Sequence, residues 1–213
     1  MRQFLTCAAL ATCLAATAGA ATVSVDIYGE IEYNQIRNGL LNKVDVPAGS
    51  AVHIHFLLDS DVYTDDGTYP TRGYAIDQSS FAATYGSVTV GIESPYPYTP
   101  YFVLRNNDPM VDGFFLSNGT TWPTPITTSE PGIFGQLGVT FETSYDMNML
   151  PSLDILDALG TWDYNGLSSL YFSTDDGGFD AMGLYFDHMT IATVPSPAGL
   201  AIFVPMVMGR RRR

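Results

Sequence analysis

Val23-Ser-Val-Asp-Ile-Tyr-Gly-Glu-Ile-Glu-Tyr33 carries the fold in its spacing. Apolar Val23, Val25, Ile27, Ile31 and Tyr33 alternate with Ser24, Asp26, Tyr28, Glu30 and Glu32. A period of two sends successive side chains to opposite faces of an extended chain, so one face packs and the other meets water. β-Branched and aromatic runs bounded by turn residues extend the pattern: Ala51 to Leu58, Gly73 to Tyr85, Ser87 to Ile92, Tyr101 to Arg105, Gly113 to Ser117, Gln136 to Thr143, Leu167 to Ser173 and Met182 to Thr193. Ser152 to Leu159 alone reads as helical, with Pro151 suited to its start and Gly160 to its stop. Short strands joined through Gly, Pro and Asp predict an all-β fold. The expected architecture is a single β-sandwich of jelly-roll or Greek-key connectivity, with about eight or nine strands and one short helix.

The flanks of this pattern read as addresses. Met1-Arg2 precedes an apolar stretch from Phe4 to Ala18, and Ala18-Gly-Ala20 supplies an A-x-A cleavage site, the signature of a signal peptide spanning 1–20. Such a leader implies passage through the Sec translocon. On the other side, Val194-Pro195-Ser196-Pro197 is followed by an apolar run from Ala198 to Met208 and by Arg210, Arg211, Arg212 and Arg213. A cluster of four arginines is held on the cytoplasmic side. Ala198 to Met208 forms about 17 Å of helix, short of the bilayer core of about 30 Å. Begun at Met189, the uncharged stretch to Gly209 reaches about 32 Å, interrupted by Pro195, Pro197 and Pro205. A transient inner-membrane anchor is expected; the alternative makes Met189 to Val194 the last strand of the domain. The division is a leader at 1–20, a β-sandwich domain at 21–193 and a tail at 194–213.

This tail resembles the PEP-CTERM sorting signal of bacteria with exopolysaccharide envelopes. Val194-Pro195-Ser196-Pro197 matches its proline motif, with Ser196 where the namesake has Glu; the apolar run and Arg210 to Arg213 match the rest. The resemblance implies processing by a membrane enzyme of the exosortase type. It also implies delivery to the cell envelope or extracellular matrix of a Gram-negative-type bacterium. The order Val46-Pro-Ala-Gly-Ser50, Ala51 to Asp61, Gly73-Tyr74 is similar to one class of proteins bearing this signal, and implies a β-sandwich of unassigned activity.

Charge narrows the partners. With Arg2 and Arg210 to Arg213 set aside, Arg37, Lys43, Arg72 and Arg105 face twenty-two acidic residues, so the exported domain carries −18. That field excludes nucleic acid and anionic membrane surfaces. Cations, neutral polysaccharide and other proteins are the partners left. Cys7 and Cys13 both fall in the leader, so no disulfide braces the domain. Its length suffices without one, since about 70% of the unfolded surface is buried at this size.

Three groups of residues could hold a ligand. His53-Ile-His55 places two imidazoles on one face of a strand while Val52, Ile54 and Phe56 take the other. That spacing suits two ligands of one zinc or copper, with His188 as a third; the simpler alternative leaves both on a solvated face. Asp59, Asp61, Asp65 and Asp66 follow one strand, and Asp175 and Asp176 lie beside Gly177-Gly178. Carboxylates on glycine-bearing loops are what calcium takes, though turn chemistry also favours Asp and Gly there. Tyr96, Tyr98 and Tyr101 among prolines, with Trp122 and Trp162, could stack on sugars. No catalytic residue is assigned: no serine has a placed histidine, the exported domain lacks a thiol, and no nucleophile elbow or phosphate loop occurs. The expectation is a non-enzymatic exported structural or surface protein, with a carbohydrate-binding or calcium-dependent adhesive module as the alternative.

Overall fold

The computed structural model describes residues 20–195. Residues 1–19 of the leader, with Ser196, Pro197 and Arg210 to Arg213 of the tail, lie outside the described residues. Twelve strands follow one another: β1 (Thr22–Asn34), β2 (Ala51–Asp65), β3 (Thr71–Ile76), β4 (Ala82–Tyr85), β5 (Val88–Val90), β6 (Tyr101–Arg105), β7 (Val111–Ser117), β8 (Ile126–Pro131), β9 (Gln136–Asp146), β10 (Gly160–Trp162), β11 (Leu167–Asp175) and β12 (Ala181–Thr193).

The all-β expectation holds, but the sandwich does not. Hydrogen-bonded neighbours run β1-β12-β11-β9-β7-β6-β3-β2, and β2 pairs again with β1, closing eight antiparallel strands into a barrel. The other four hang on it: β4 on β2, β5 on β4, β8 on β9 and β10 on β12. Closure depends on long strands that serve two partners. Val52 to His55 of β2 pair with β4 while Tyr63 to Asp65 pair with β3, across a register break between Leu58 and Tyr63. β1 lies between β2 and β12, with register breaks after Tyr28 and Ile31. Such bulges bend a strand and increase its twist, which a closed sheet needs. Gly29 sits at the first break, where an added Cβ would collide with the Tyr185 carbonyl of β12. Gly113 of β7 meets the Thr143 carbonyl of β9 in the same way.

The interior is apolar and filled. Val23, Val25, Ile27, Ile31, Val52, Ile54 and Phe56 are buried as alternation assigns them, whereas Tyr33, assigned to the same face, is 44% exposed beyond the register break after Ile31. Phe102 stacks on Phe114 at 5.6 Å, and Tyr145 meets Phe114 edge-on. Each such ring contributes about 1.5–3 kcal/mol by leaving water. The buried Tyr74 hydroxyl is tied down, donating to the Leu153 carbonyl at 2.8 Å and accepting from the Ile155 amide at 2.9 Å, whereas the Tyr145 hydroxyl finds no protein partner. Burial pushes the Tyr85 hydroxyl well above its ordinary pKa, against a single bond to Thr174.

Other expectations change in detail. The predicted helix at 152–159 is one 3-10 turn, Ile155–Ala158. Ser152 and Asp154 side chains claim the local amides of Asp154 and Leu156, which competes with a helical ladder too short to nucleate. Gly73 to Tyr85 divides into β3 and β4 because the Asp77 carboxylate accepts from the Ser79 amide and the Ser80 amide bonds the Asp77 carbonyl. β8 and β10 lie in segments without clear alternation. Finally, Met189 and Ile191 are buried in β12, so an anchor beginning at Met189 is incompatible with the closed barrel.

Candidate functional site

Register across β1 assembles a polar row on the barrel exterior. Tyr28 stands opposite His53 on one side and His188 on the other, and His53 stands opposite Thr84. The next row places Asp26 between His55 and Thr190. Since Val25, Ile27, Val52 and Ile54 fill the interior, these positions must face outward.

Asp26 binds both histidines through one oxygen. His53 Nε2 and His55 Nδ1 each lie 2.8 Å from Asp26 Oδ1. All three side chains are partly buried, with 19% of Asp26 exposed against 39% and 34% for the imidazoles, so the carboxylate sits beneath rings open to solvent. Tyr28 is held between two imidazoles: its ring stacks on His53 at 4.5 Å and 4°, and on His188 at 4.6 Å and 18°. Partial burial, with the nearby Asp26 charge, raises the Tyr28 hydroxyl above its ordinary pKa. His188 turns its Nδ1 to Asp187 at 3.0 Å rather than to the Asp26 group. Two imidazole nitrogens and a carboxylate oxygen within 4.8 Å of one another can hold protons or a divalent cation.

The acidic residues named from sequence are placed apart. Asp59 accepts from the Asp61 amide at 2.8 Å, and Asp61 is exposed. Asp65 binds Arg72 through two bonds, and that hydrogen bonding holds its carboxyl below the usual range. Asp66 accepts from the Thr121 and Thr120 hydroxyls and from the Thr68 and Tyr69 amides, which lower its pKa to about 2. Asp175 accepts from the Gly177 amide and the Ser173 hydroxyl. Asp176 accepts from Ile133, Phe134 and Gly178 amides. Among the described residues, the gathering of three ligand side chains is Asp26 with His53 and His55.

The aromatic candidates are likewise dispersed. Tyr96 donates to Asn118 and meets Tyr98 edge-on. Tyr101 lies on β6 against Gly73. Trp162 packs edge-on against Phe114 and Tyr145 with its Nε1 donating to the Ala158 carbonyl. Trp122 is 69% exposed and borders a cavity of about 250 Å³ with Tyr69, Arg105 and Asp108.

Asp26 is the residue that sequence reasoning missed. It comes from a strand 27 residues before His53, and only the β1–β2 register brings them together. The available signal was its outward position in the same alternation that placed the histidines outward. No family model, curated protein or solved structure matches this chain.

Proposed function

We propose that this chain is an exported, non-enzymatic surface protein of a bacterial envelope, in which the barrel is the delivered domain and a PEP-CTERM-like tail directs exosortase-type processing. The observation that carries this reading is a match of boundaries. The barrel closes within Thr22 to Thr193, with β1 paired to both β12 and β2, just inside the leader and the proline motif. Val23 pairs with Thr193, and the Val194 amide bonds the Thr22 carbonyl at 2.8 Å. Thr22 and Val194 are therefore neighbours at the two ends of the barrel segment, and removing the leader and the tail costs it no described strand. The polarity of the barrel also favours an aqueous destination: its interior is apolar while Ser24, Asp26, His53 and His55 face outward, the reverse of a membrane-spanning barrel. With β12 ending at Thr193, the uncharged stretch from Val194 to Gly209 would reach about 24 Å as a helix, which suits transient anchoring. Intact mass spectrometry of the exported form tests the proposal. A chain beginning at Ala21 and lacking Arg210 to Arg213 is expected, and exported protein that keeps all four arginines overturns it.

Trp122 supports a second reading, carbohydrate binding. Its exposed ring beside Tyr69 and the cavity of about 250 Å³ offers a stacking surface with Arg105 and Asp108 as hydrogen-bonding groups. A glycan array probed with the protein and its Trp122→Ala variant tests this; a signal equal in both removes the cavity from consideration.

A further inference from the structure

We infer that Asp26, His53 and His55 form a binding site for a first-row divalent transition metal, with zinc the best-matched ion. The inference is independent of the export route, because it concerns a face of the folded barrel.

The donor set selects the metal class. Two imidazole nitrogens and one carboxylate oxygen suit zinc, nickel or copper, whereas calcium and magnesium require oxygen ligands throughout. The three donors come from adjacent rigid strands, and Ile27 and Ile54, which flank them in sequence, are buried. Their spacing is close to what an ion needs. Ligand atoms about 2.0–2.1 Å from a tetrahedral zinc stand about 3.3 Å apart, so a small turn of Asp26 opens the present 2.8 Å hydrogen bonds to ligand separation.

Protonation is balanced on the two rings themselves. Each imidazole now presents an N–H to Asp26. When the ion enters, each ring carries its proton on the other nitrogen and offers the freed lone pair, so neutral histidines bind with no net proton release. Protonated histidines must lose theirs first, so binding weakens in acid. Tyr28 acts as a positioning residue: its ring, stacked at 4.5 Å and nearly parallel, fixes the plane of His53. His188 closes the far side of that stack and leaves the open side of the cluster to water.

As a purely structural device the cluster is weak, since water competes for hydrogen bonds among half-exposed side chains on a sheet. Metal binding gives the convergence a larger consequence. The net charge of −13 on the full chain adds long-range attraction for cations.

The test uses the full chain, without a histidine tag and with Cys7→Ser and Cys13→Ser so that leader thiols do not compete. Metal-stripped protein is titrated with zinc chloride by calorimetry and with cobalt(II) chloride by visible spectroscopy. One equivalent of each is expected, with cobalt bands of nitrogen–oxygen coordination and no displacement by excess calcium. The His53→Ala/His55→Ala double variant and, separately, Asp26→Ala should each weaken zinc at least about tenfold while keeping the far-UV circular dichroism of the parent. Absence of saturable one-equivalent binding in the parent overturns the inference. So does a correctly folded double variant that binds zinc as tightly as the parent.

Discussion

Asp26 on the barrel wall and Asp66 and Asp176 in the loops are all carboxylates with close partners, yet their partners differ in kind. Asp26 meets only side chains, His53 and His55. Asp66 and Asp176 also meet backbone amides, those of Thr68 and Tyr69 for the first, beside the Thr120 and Thr121 hydroxyls, and of Ile133, Phe134 and Gly178 for the second. The difference follows from where amides are free. On β1 the backbone is paired with β2 and β12 on both sides, so an aspartate there has no amide within reach and turns to neighbouring side chains. In loops the amides lack ladder partners, and acidic side chains satisfy them, within their own turn as Asp66 does or across to the neighbouring β8–β9 loop as Asp176 does. A carboxylate on a strand paired along both edges, as Asp26 is on β1, stays available to a ligand, whereas one beside unpaired amides is spent on them.

The largest expected effect extends the comparison to a carboxylate that is both spent on amides and buried. Asp112 accepts from the Asn107 amide at 2.7 Å and the Leu150 amide at 2.6 Å, with no solvent exposure. Asp112→Ala should destabilise the barrel by about 3 kcal/mol in urea denaturation, because the buried Leu150 amide and the Asn107 amide lose their shared acceptor in the core. An effect below about 1 kcal/mol would break the idea that these carboxylates serve the backbone.

Asp176→Ala should act locally. Hydrogen exchange at the Ile133 and Phe134 amides is expected to accelerate about tenfold, the equivalent of one net hydrogen bond, with zinc affinity unchanged. Loss of zinc binding in this variant would place the ion at the β11–β12 turn instead of the wall.

For Asp66 the comparison is sharpened by pH. Its folded pKa is about 2, held down by hydrogen bonds that favour the charged form, while an unfolded aspartate titrates near ~3.9. The lowered folded value means that its contribution to stability is present above the unfolded pKa and is lost as pH falls from about 4 towards about 2. Carbon-detected NMR of the Asp66 carboxyl should show a midpoint near 2, and a midpoint near 4 would contradict the Thr120 and Thr121 bonds.

The smallest effect belongs to Asp26. Asp26→Ala should change unfolding free energy by only about 0.5 kcal/mol in metal-free buffer, since its partners are half-exposed imidazoles that water can satisfy. Destabilisation approaching that of Asp112→Ala would show the wall cluster to be structural.

Strand positions were well read where alternation is clean. β1, β6 and β12 fall where their periodicity puts them, and Tyr101–Arg105 matches to the residue, whereas β2 runs past Leu58 to Asp65 and takes Asp59, Asp61 and Asp65 into the strand because its far end pairs with β3. β8 and β10 escaped because they are short or capped by turns and draw their definition from pairing with β9 and β12. The barrel escaped for a related reason: nothing in the alternation of β1 says whether one or both of its edges are paired. At the candidate site, His53 and His55 were visible as a pair on an outward face. Their carboxylate was not, because the nearest acids in sequence, Asp59 and Asp61, lie further along β2 while Asp26 lies across the ladder.

By itself the sequence determined that the domain is all-β and which residues of its clean strands face inward, and it supplied the expectation of a leader and a sorting tail at the flanks. These are local properties, set by a two-residue period and by the order of charge and apolarity along the chain. Only the tertiary structure decided that the sheet closes as a barrel, that β12 retains Met189 and Ile191, and that Asp26 sits between two histidines. Those depend on which strands pair and in which register, and partners as distant in sequence as Val23 and Thr193 are chosen by the shared core.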